Sequence, residues 1–416
     1  SQTIFIPRGD EVALWDVHIK NDSNVRRELD VTGYVEFSFH HIAMDNQNFQ
    51  MSLYAAGSRY EDGAVEYELH YEEDSFQFFT ASFEPDSFDC LRDAFLGPYR
   101  TEANPLGVEN GRLSGSFEKT GNHCGALQKR LTLEPGEEAR LVFILGQGNA
   151  SAARAARERY APERVDGALR ELTEFWEEKL SRLQVETPSR DMNTSLNLWN
   201  LYQSEVNVMF SRFASFIEVG GRTGLGYRDT AQDAMCVPHS NPEMCLKRIR
   251  QLLHGQVREG YGLHLFDPRW FEPGKQQSFK SPTVVPTPDR ASMIHGLKDT
   301  CADDALWLVP AICEYARETG DMDFFHEVIP YADGGQETVY GHMKKILDFT
   351  YAQRGANGVA KGLRADWNDC LNLGGGESAM VAFLHLWALR HFLSAAARLG
   401  RAADEVRYGA MRAEMT

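Results

Sequence analysis

The sequence lacks three things: cysteines at metal-motif or redox-motif spacing, a long apolar run, and enough basic residues to balance its acids. Each absence narrows what the chain can be. Its seven cysteines, Cys90, Cys124, Cys236, Cys245, Cys301, Cys313 and Cys370, are odd in number and include no CxxC pair. This argues against a disulfide framework and against a cysteine-rich zinc site, and it fits a reducing compartment, so a cytoplasmic location is expected. No HExxH motif occurs, and neither His264 nor His295 has a histidine partner four residues on. No metal site is therefore expected. A GxSxG nucleophile elbow is also missing, and Gly374-Gly375-Gly376 follows no clear strand, so it does not read as a dinucleotide fingerprint. No run of about 18 apolar residues is present, so no transmembrane helix is expected. The first residues, Ser1-Gln2-Thr3-Ile4-Phe5, do not form a basic segment followed by an apolar one, unlike a secretory signal. With 43 Lys and Arg against 60 Asp and Glu, the net charge is −17. That balance disfavours nucleic acid and anionic membrane surfaces as partners, and it makes any local cluster of arginines informative.

What is present changes character along the chain. The length of 416 residues suits two or three domains. Residues 1–148 read as an antiparallel β-sandwich. Val12 to Ile19, Tyr34 to His40 and Gln77 to Phe83 mix β-branched and aromatic residues. Leu131 and Leu133 alternate with polar residues, Glu134-Pro135-Gly136-Glu137 turns the chain, and Leu141, Phe143 and Leu145 continue. This pattern predicts a hairpin. Residues 149–188 read as helical linker, interrupted near Pro162, with Leu169, Leu172, Phe175, Trp176 and Leu180 at helical spacing. Residues 189–416 read as helices over Met192–Phe210, Asn241–Arg258, Ala302–Thr319, Val339–Arg354 and Glu377–Leu399. The loops at 211–240, 259–300 and 355–376 are rich in Gly, Pro, Asp and aromatics. Helices separated by such loops suggest a helical toroid whose site is built from loops at one end.

Three clusters have chemical potential. Arg212, Arg222, Arg228 and Asp229 fall in a short Gly- and aromatic-rich stretch. Glycine permits close backbone approach, and the guanidinium fork suits phosphate oxygens or vicinal hydroxyls. The competing reading is a surface loop with solvated charges. In Asp366-Trp367-Asn368-Asp369, two carboxylates three residues apart could share a helical face. Trp367 could stack on a sugar, and an apolar ring beside a carboxyl favours the neutral form that a general acid needs. Alternatively one aspartate simply caps a helix. The third cluster, Cys301-Ala302-Asp303-Asp304 with Lys298-Asp299, reads best as helix caps.

These residues carry a resemblance. The runs Gly220-Gly221-Arg222-Thr223-Gly224-Leu225-Gly226-Tyr227-Arg228-Asp229-Thr230, Tyr261-Gly262-Leu263-His264-Leu265-Phe266, Ser281-Pro282-Thr283-Val284-Val285-Pro286-Thr287-Pro288 and Leu363 to Ser378 resemble the inverting disaccharide phosphorylases of glycoside hydrolase family 94. The resemblance covers the whole chain and is strongest from 210 to 390. It implies a β-sandwich, a helical linker and part of an (α/α)6 barrel. It also implies roles: Asp369 as the general acid, Trp367 in the pocket for the cleaved ring, Arg212, Arg228 and Asp229 as partners of that ring, and Arg222 on phosphate. Within the family, these runs are more similar to the branch acting on N,N′-diacetylchitobiose than to the cellobiose branch. The implied reaction converts that disaccharide and phosphate into N-acetyl-α-D-glucosamine 1-phosphate and N-acetylglucosamine.

A phosphorylase needs only one catalytic carboxyl group. An inverting hydrolase uses an acid and a base, the base activating water. Phosphate is already an anion, so it needs placement and no base. No cofactor is implied, since phosphate is a substrate. Members of the family are much longer, so the chain is expected to be an internal fragment with little or no activity alone. The native partners expected are the disaccharide, phosphate and a second copy in a homodimer. Other readings are phosphorolysis of cellobiose or another β-disaccharide, an (α/α)6 hydrolase, and a non-catalytic carbohydrate-binding fragment.

Overall fold

In the computed structural model the described residues are 1–37, 55–70, 76–210, 225–268 and 300–416. Arg212, Arg222, His295, Lys298 and Asp299 lie outside them, as do 281–288 and the end of the strand expected at Tyr34 to His40. The chain divides into two compact units, Ser1–Glu178 and Lys179–Thr416.

The first unit is an antiparallel sandwich. Its large sheet has the order β1 (Gln2–Phe5), β2 (Val12–Lys20), β9 (Glu138–Gln147), β6 (Phe76–Ala81), β5 (Ala64–Leu69) and β4 (Ala56–Glu61). A smaller sheet has the order β3 (Arg27–Glu36), β8 (His123–Leu133) and β7 (Ser87–Leu91). Val35, Cys90 and Leu127 of the small sheet share one core with Val65, Phe79, Leu141 and Phe143 of the large one. Gly33 makes the contact close, since a Cβ there would stand 2.6 Å from the Phe143 ring.

The turn after Leu133 forms, but the hairpin does not. Glu137 N–H donates to the Glu134 carbonyl at 3.0 Å, and Gly136 takes φ +81. Yet β8 sits between β3 and β7, while β9 sits between β2 and β6. The turn is a corner between two sheets. Alternation identifies which side chains face a core; it does not say which strand supplies the hydrogen bonds.

The outer face of the large sheet is also covered. Leu14, Phe78, Val142 and Ile144 pack with Ala153, Ala156, Tyr160 and Val165 of the helices Ala150–Arg159 and Pro162–Ser181. This explains why β9 reads as the continuous apolar run Leu141 to Leu145: it is buried on both faces. Asn149 caps the first of these helices by accepting from Ser151 and Ala152 N–H. Pro162 occupies the first position of the second, where its missing N–H costs nothing.

The second unit is helical. Arg190–Thr194, a π-helical stretch Ser195–Asn200 and Leu201–Phe210 follow one another, then Pro242–His254, Leu308–Thr319, Val339–Ala352, Ala379–Arg398 and Ala402–Glu414. Helix Leu308–Thr319 packs against both Pro242–His254 and Ala379–Arg398. A further helix, Tyr227–Ala234, lies where the sequence reads as loop. Its Thr and two Asp residues give it poor intrinsic propensity, and burial of Tyr227, Thr230, Ala231 and Ala234 overrides that. Ala379–Arg398 is long and apolar enough to suit a membrane span, contrary to expectation. Its Val381, Leu384, Leu389 and Phe392 belong to the helical core, which accounts for its composition.

Candidate active site

Short β pairings tie loop segments of the helical unit together. Leu225–Gly226 pairs with Leu265–Phe266, and Lys361–Leu363 pairs with Gly374–Glu377. Cys301 bridges to both Leu363 and Ala365. Arg364 N–H donates to the Thr300 carbonyl at 3.1 Å, and Ala302 N–H to the Ala365 carbonyl at 2.9 Å. Leu363 sits at φ +50, a left-handed conformation that costs a β-carbon residue about 1–2 kcal/mol. These pairings hold it there, three residues before the Asp366-to-Asp369 loop.

Arg228 is the centre of the assembly. It is the second residue of helix Tyr227–Ala234, and only 4% of it is exposed. Its Nη1 donates to Asp303 Oδ1 at 3.1 Å and to the Asp366 carbonyl at 2.8 Å. Its Nη2 donates to Asp369 Oδ1 at 2.6 Å, across 141 residues of sequence. Its Nε–H is buried without a partner among the described residues. Burial opposes its charge, but Asp303, Asp304 and Asp369 more than offset that and hold the guanidinium above its ordinary pKa.

Behind Arg228 stand two fully buried carboxylates. Asp303 accepts from Arg228 and, through Oδ2, from Trp307 Nε1–H at 3.1 Å. Burial, then the charge of Asp304, pushes its carboxyl up to about 6 against the pull of Arg228. Asp304 lies 3.1 Å and 3.3 Å from His264 Nδ1. Hydrogen bonds to Asp304 and then Cys301 push the imidazole up to about 10, so it is an imidazolium at neutral pH. The helix-cap reading of this cluster fails, because the Asp304 side chain makes no cap hydrogen bond and both carboxylates point into the network. The doublet precedes the unbroken apolar run Ala305-Leu306-Trp307-Leu308-Val309, which leaves no polar face and is the sequence signal that could have placed it inside.

His264, Cys301 and Asp304 are also the group, among the described residues, whose donor atoms could hold a metal ion; these atoms lie within 4.8 Å of one another. Sequence spacing could not show this group, because the cysteine lies 37 positions after the histidine. The proton shared with Asp304 competes with any such ion, since a ligating imidazole must be neutral.

The Asp366-to-Asp369 segment is a turn, so its two carboxylates do not share a helical face. Asp366 is tied down: Oδ1 accepts from Asn368 N–H at 2.9 Å and Oδ2 from Ser378 Oγ–H at 2.8 Å. Ser378 in turn caps helix Ala379–Arg398. Asp369 has a side chain 53% exposed, and its hydrogen-bond partner is Arg228. Trp367 is 50% exposed, with its ring 5.9 Å from the Arg228 guanidinium carbon. Asp229 lies in the first turn of the Arg228 helix, its Oδ2 3.0 Å from where a Cβ on Gly226 would stand. Arg228, Trp367 and Asp369 are thus brought together. The solvated-loop reading fails for Arg228, which is buried.

Residues 175–416 match the glycosyl hydrolase 94 superfamily catalytic domain, and residues 1–163 match the glycosyl hydrolase 94 supersandwich domain. The chain is 54% identical over its full length to N,N′-diacetylchitobiose phosphorylase of Vibrio proteolyticus, covering 52% of that protein. It is 55% identical to the N,N′-diacetylchitobiose phosphorylase of Vibrio furnissii over 99% of the chain and 52% of that protein. A solabiose phosphorylase of Paenibacillus borealis is 28% identical over 96% of the chain and 48% of its own length. The chain therefore spans about half the length of the curated relatives it matches. With both of its units matched, one by each domain, the chain belongs to the glycosyl hydrolase 94 family.

Proposed function

We propose that this chain carries the acid-bearing site of an inverting phosphorylase that cleaves N,N′-diacetylchitobiose with phosphate. The observation that carries the reading is Asp369: an exposed carboxyl group anchored by a buried arginine and flanked by a half-exposed indole. Two relatives that are N,N′-diacetylchitobiose phosphorylases, at 54% and 55% identity, support the substrate. In the reaction, phosphate oxygen attacks the anomeric carbon opposite the leaving group. Asp369 gives its proton to the departing glycosidic oxygen, and the product is the α-1-phosphate. Nearby Asp366 has both oxygens committed to Asn368 and Ser378, so it is poorly placed to act as a base on water. That favours phosphate over water as nucleophile. Trp367, Arg228, Asp229 and Arg212 are assigned to the cleaved ring, and Arg222 to phosphate. The same reading carries no cofactor, a cytoplasmic location and a homodimer.

The test is product analysis with the protein at its native length. Phosphate plus N,N′-diacetylchitobiose should yield N-acetyl-α-D-glucosamine 1-phosphate by phosphorus NMR. Free sugar formed without phosphate would establish a hydrolase instead. Sugar 1-phosphate from cellobiose, with none from the acetamido disaccharide, would move the substrate.

A further inference from the structure

We propose that Asp303 is a positioning residue, which fixes the guanidinium of Arg228 and through it the carboxyl group of Asp369. The inference rests on the reading of Asp369 as the proton donor. Asp369 is exposed, and Arg228 is the partner that orients it. The orientation of Arg228 is therefore the orientation of the acid.

Three observations place that control at Asp303. It is fully buried, so its carboxylate has no water to satisfy it and must be paired. Its two oxygens have separate partners: Oδ1 takes Arg228 Nη1–H, and Oδ2 takes Trp307 Nε1–H, each at 3.1 Å. An indole N–H can only donate, and its ring is held edge-on against Trp387 at 5.8 Å. The carboxylate is thus clamped from behind while it clamps the arginine in front. Charge completes the arrangement. Asp303 and Asp304 are adjacent buried carboxyl groups, faced by the Arg228 guanidinium and the His264 imidazole respectively. This leaves Arg228 balanced at its inner edge, free to present Nη2 to Asp369.

In Asp303→Asn one of the two bonds is lost. If the amide oxygen faces Arg228, the amide N–H₂ meets the indole N–H, donor against donor; the flipped amide meets the guanidinium instead. The guanidinium also loses its inner counter-charge. A displacement of about 1 Å at a reacting group costs on the order of 10²-fold in rate.

The experiment uses the protein at its native length, with wild type, Asp303→Asn and Trp307→Phe, the last removing only the clamp's donor. Expected is a kcat for disaccharide phosphorolysis lower by on the order of 10²-fold in Asp303→Asn and by several-fold in Trp307→Phe, with KM for phosphate little changed. The defect should shrink on a 4-nitrophenyl β-glycoside of the same sugar, because nitrophenolate leaves without a proton. An equal defect on both substrates would overturn the assignment, since a merely structural role does not distinguish leaving groups. Crystal structures of the variants supply a readout independent of turnover. An Arg228–Asp369 contact unchanged at 2.6 Å in Asp303→Asn would overturn the proposal even if the wild type proved to be a hydrolase. Wild type without any glycoside cleavage, but with a displaced Arg228 in the variant, would sink the functional reading and leave the positioning role standing.

Discussion

The imidazolium of His264 makes the helical unit lose stability as pH rises, and the size of the loss follows from the structure. Its pKa is raised from 6.5 to about 10 by Asp304 and then Cys301, and three quarters of the side chain is out of solvent. Because the folded-state value is the higher one, the stabilisation is fully present below pH 6.5 and is lost as pH climbs through 10. Between those limits the folded state holds one more proton than the unfolded state, so unfolding free energy falls by about 1.4 kcal/mol per pH unit. Over the whole interval this amounts to about 5 kcal/mol. Urea unfolding of the chain from pH 6.5 to 9.5, read by tryptophan fluorescence, measures the slope; calorimetry in buffers of different ionisation enthalpy counts the proton released. The comparison is His264→Gln, which retains an N–H donor for Asp304 but cannot hold the proton. Taking the difference between the two proteins removes other groups that titrate in this range. Parallel curves for wild type and variant, or unfolding at pH 8 without release of a proton, would refute the ion-pair reading of His264.

Other perturbations follow from the same network. Asp369→Asn should lower kcat by about 10²–10⁴-fold, the range for loss of a general acid, with only a small fall in the urea midpoint, because the side chain is half exposed although it is one counter-charge of Arg228; full activity would end its assignment as proton donor. Arg228→Met leaves Asp303 buried without its cation and should destabilise the helical unit by about 3–5 kcal/mol at pH 7.5. That loss should be smaller at pH 5, below the value of about 6 to which the Asp303 carboxyl is already raised, because the orphaned carboxyl can then be protonated. Equal losses at the two pH values would count against the buried-charge account. Ser378→Ala removes both the cap on Ala379–Arg398 and the anchor of Asp366, and should cost about 1 kcal/mol in urea unfolding with a fall in kcat; unchanged kcat would show that the loop holding Asp369 does not depend on that anchor.

Periodicity made the long elements legible. The helices Ala150–Arg159 and Pro162–Ser181 follow from their Ala, Leu and Glu content and from a proline that can only begin a helix. Val12–Lys20 and Phe76–Ala81 follow from β-branched and aromatic density. Tyr227–Ala234 was illegible because its sequence favours a loop and only burial makes it a helix. The alternation in β8 and β9 reads as a hairpin although they do not pair, because two strands flanking one core alternate in the same way as two strands that pair.

The site divides along the same line. The sequence by itself determined the chemical inventory: an aspartate beside tryptophan, arginines among glycines, and a resemblance extending through both motifs. It also determined the order of sheet and helix, since those depend on local periodicity. Only the tertiary structure decided that the Asp366 carboxylate is tied down while the Asp369 carboxyl group stays half exposed on a buried arginine, because that depends on Ser378 and Arg228. Only the tertiary structure made Asp303, Asp304 and His264 one buried charge network. The cost of an unpaired buried charge is set by what surrounds it in space, and the partners here come from segments that the chain's order keeps far apart.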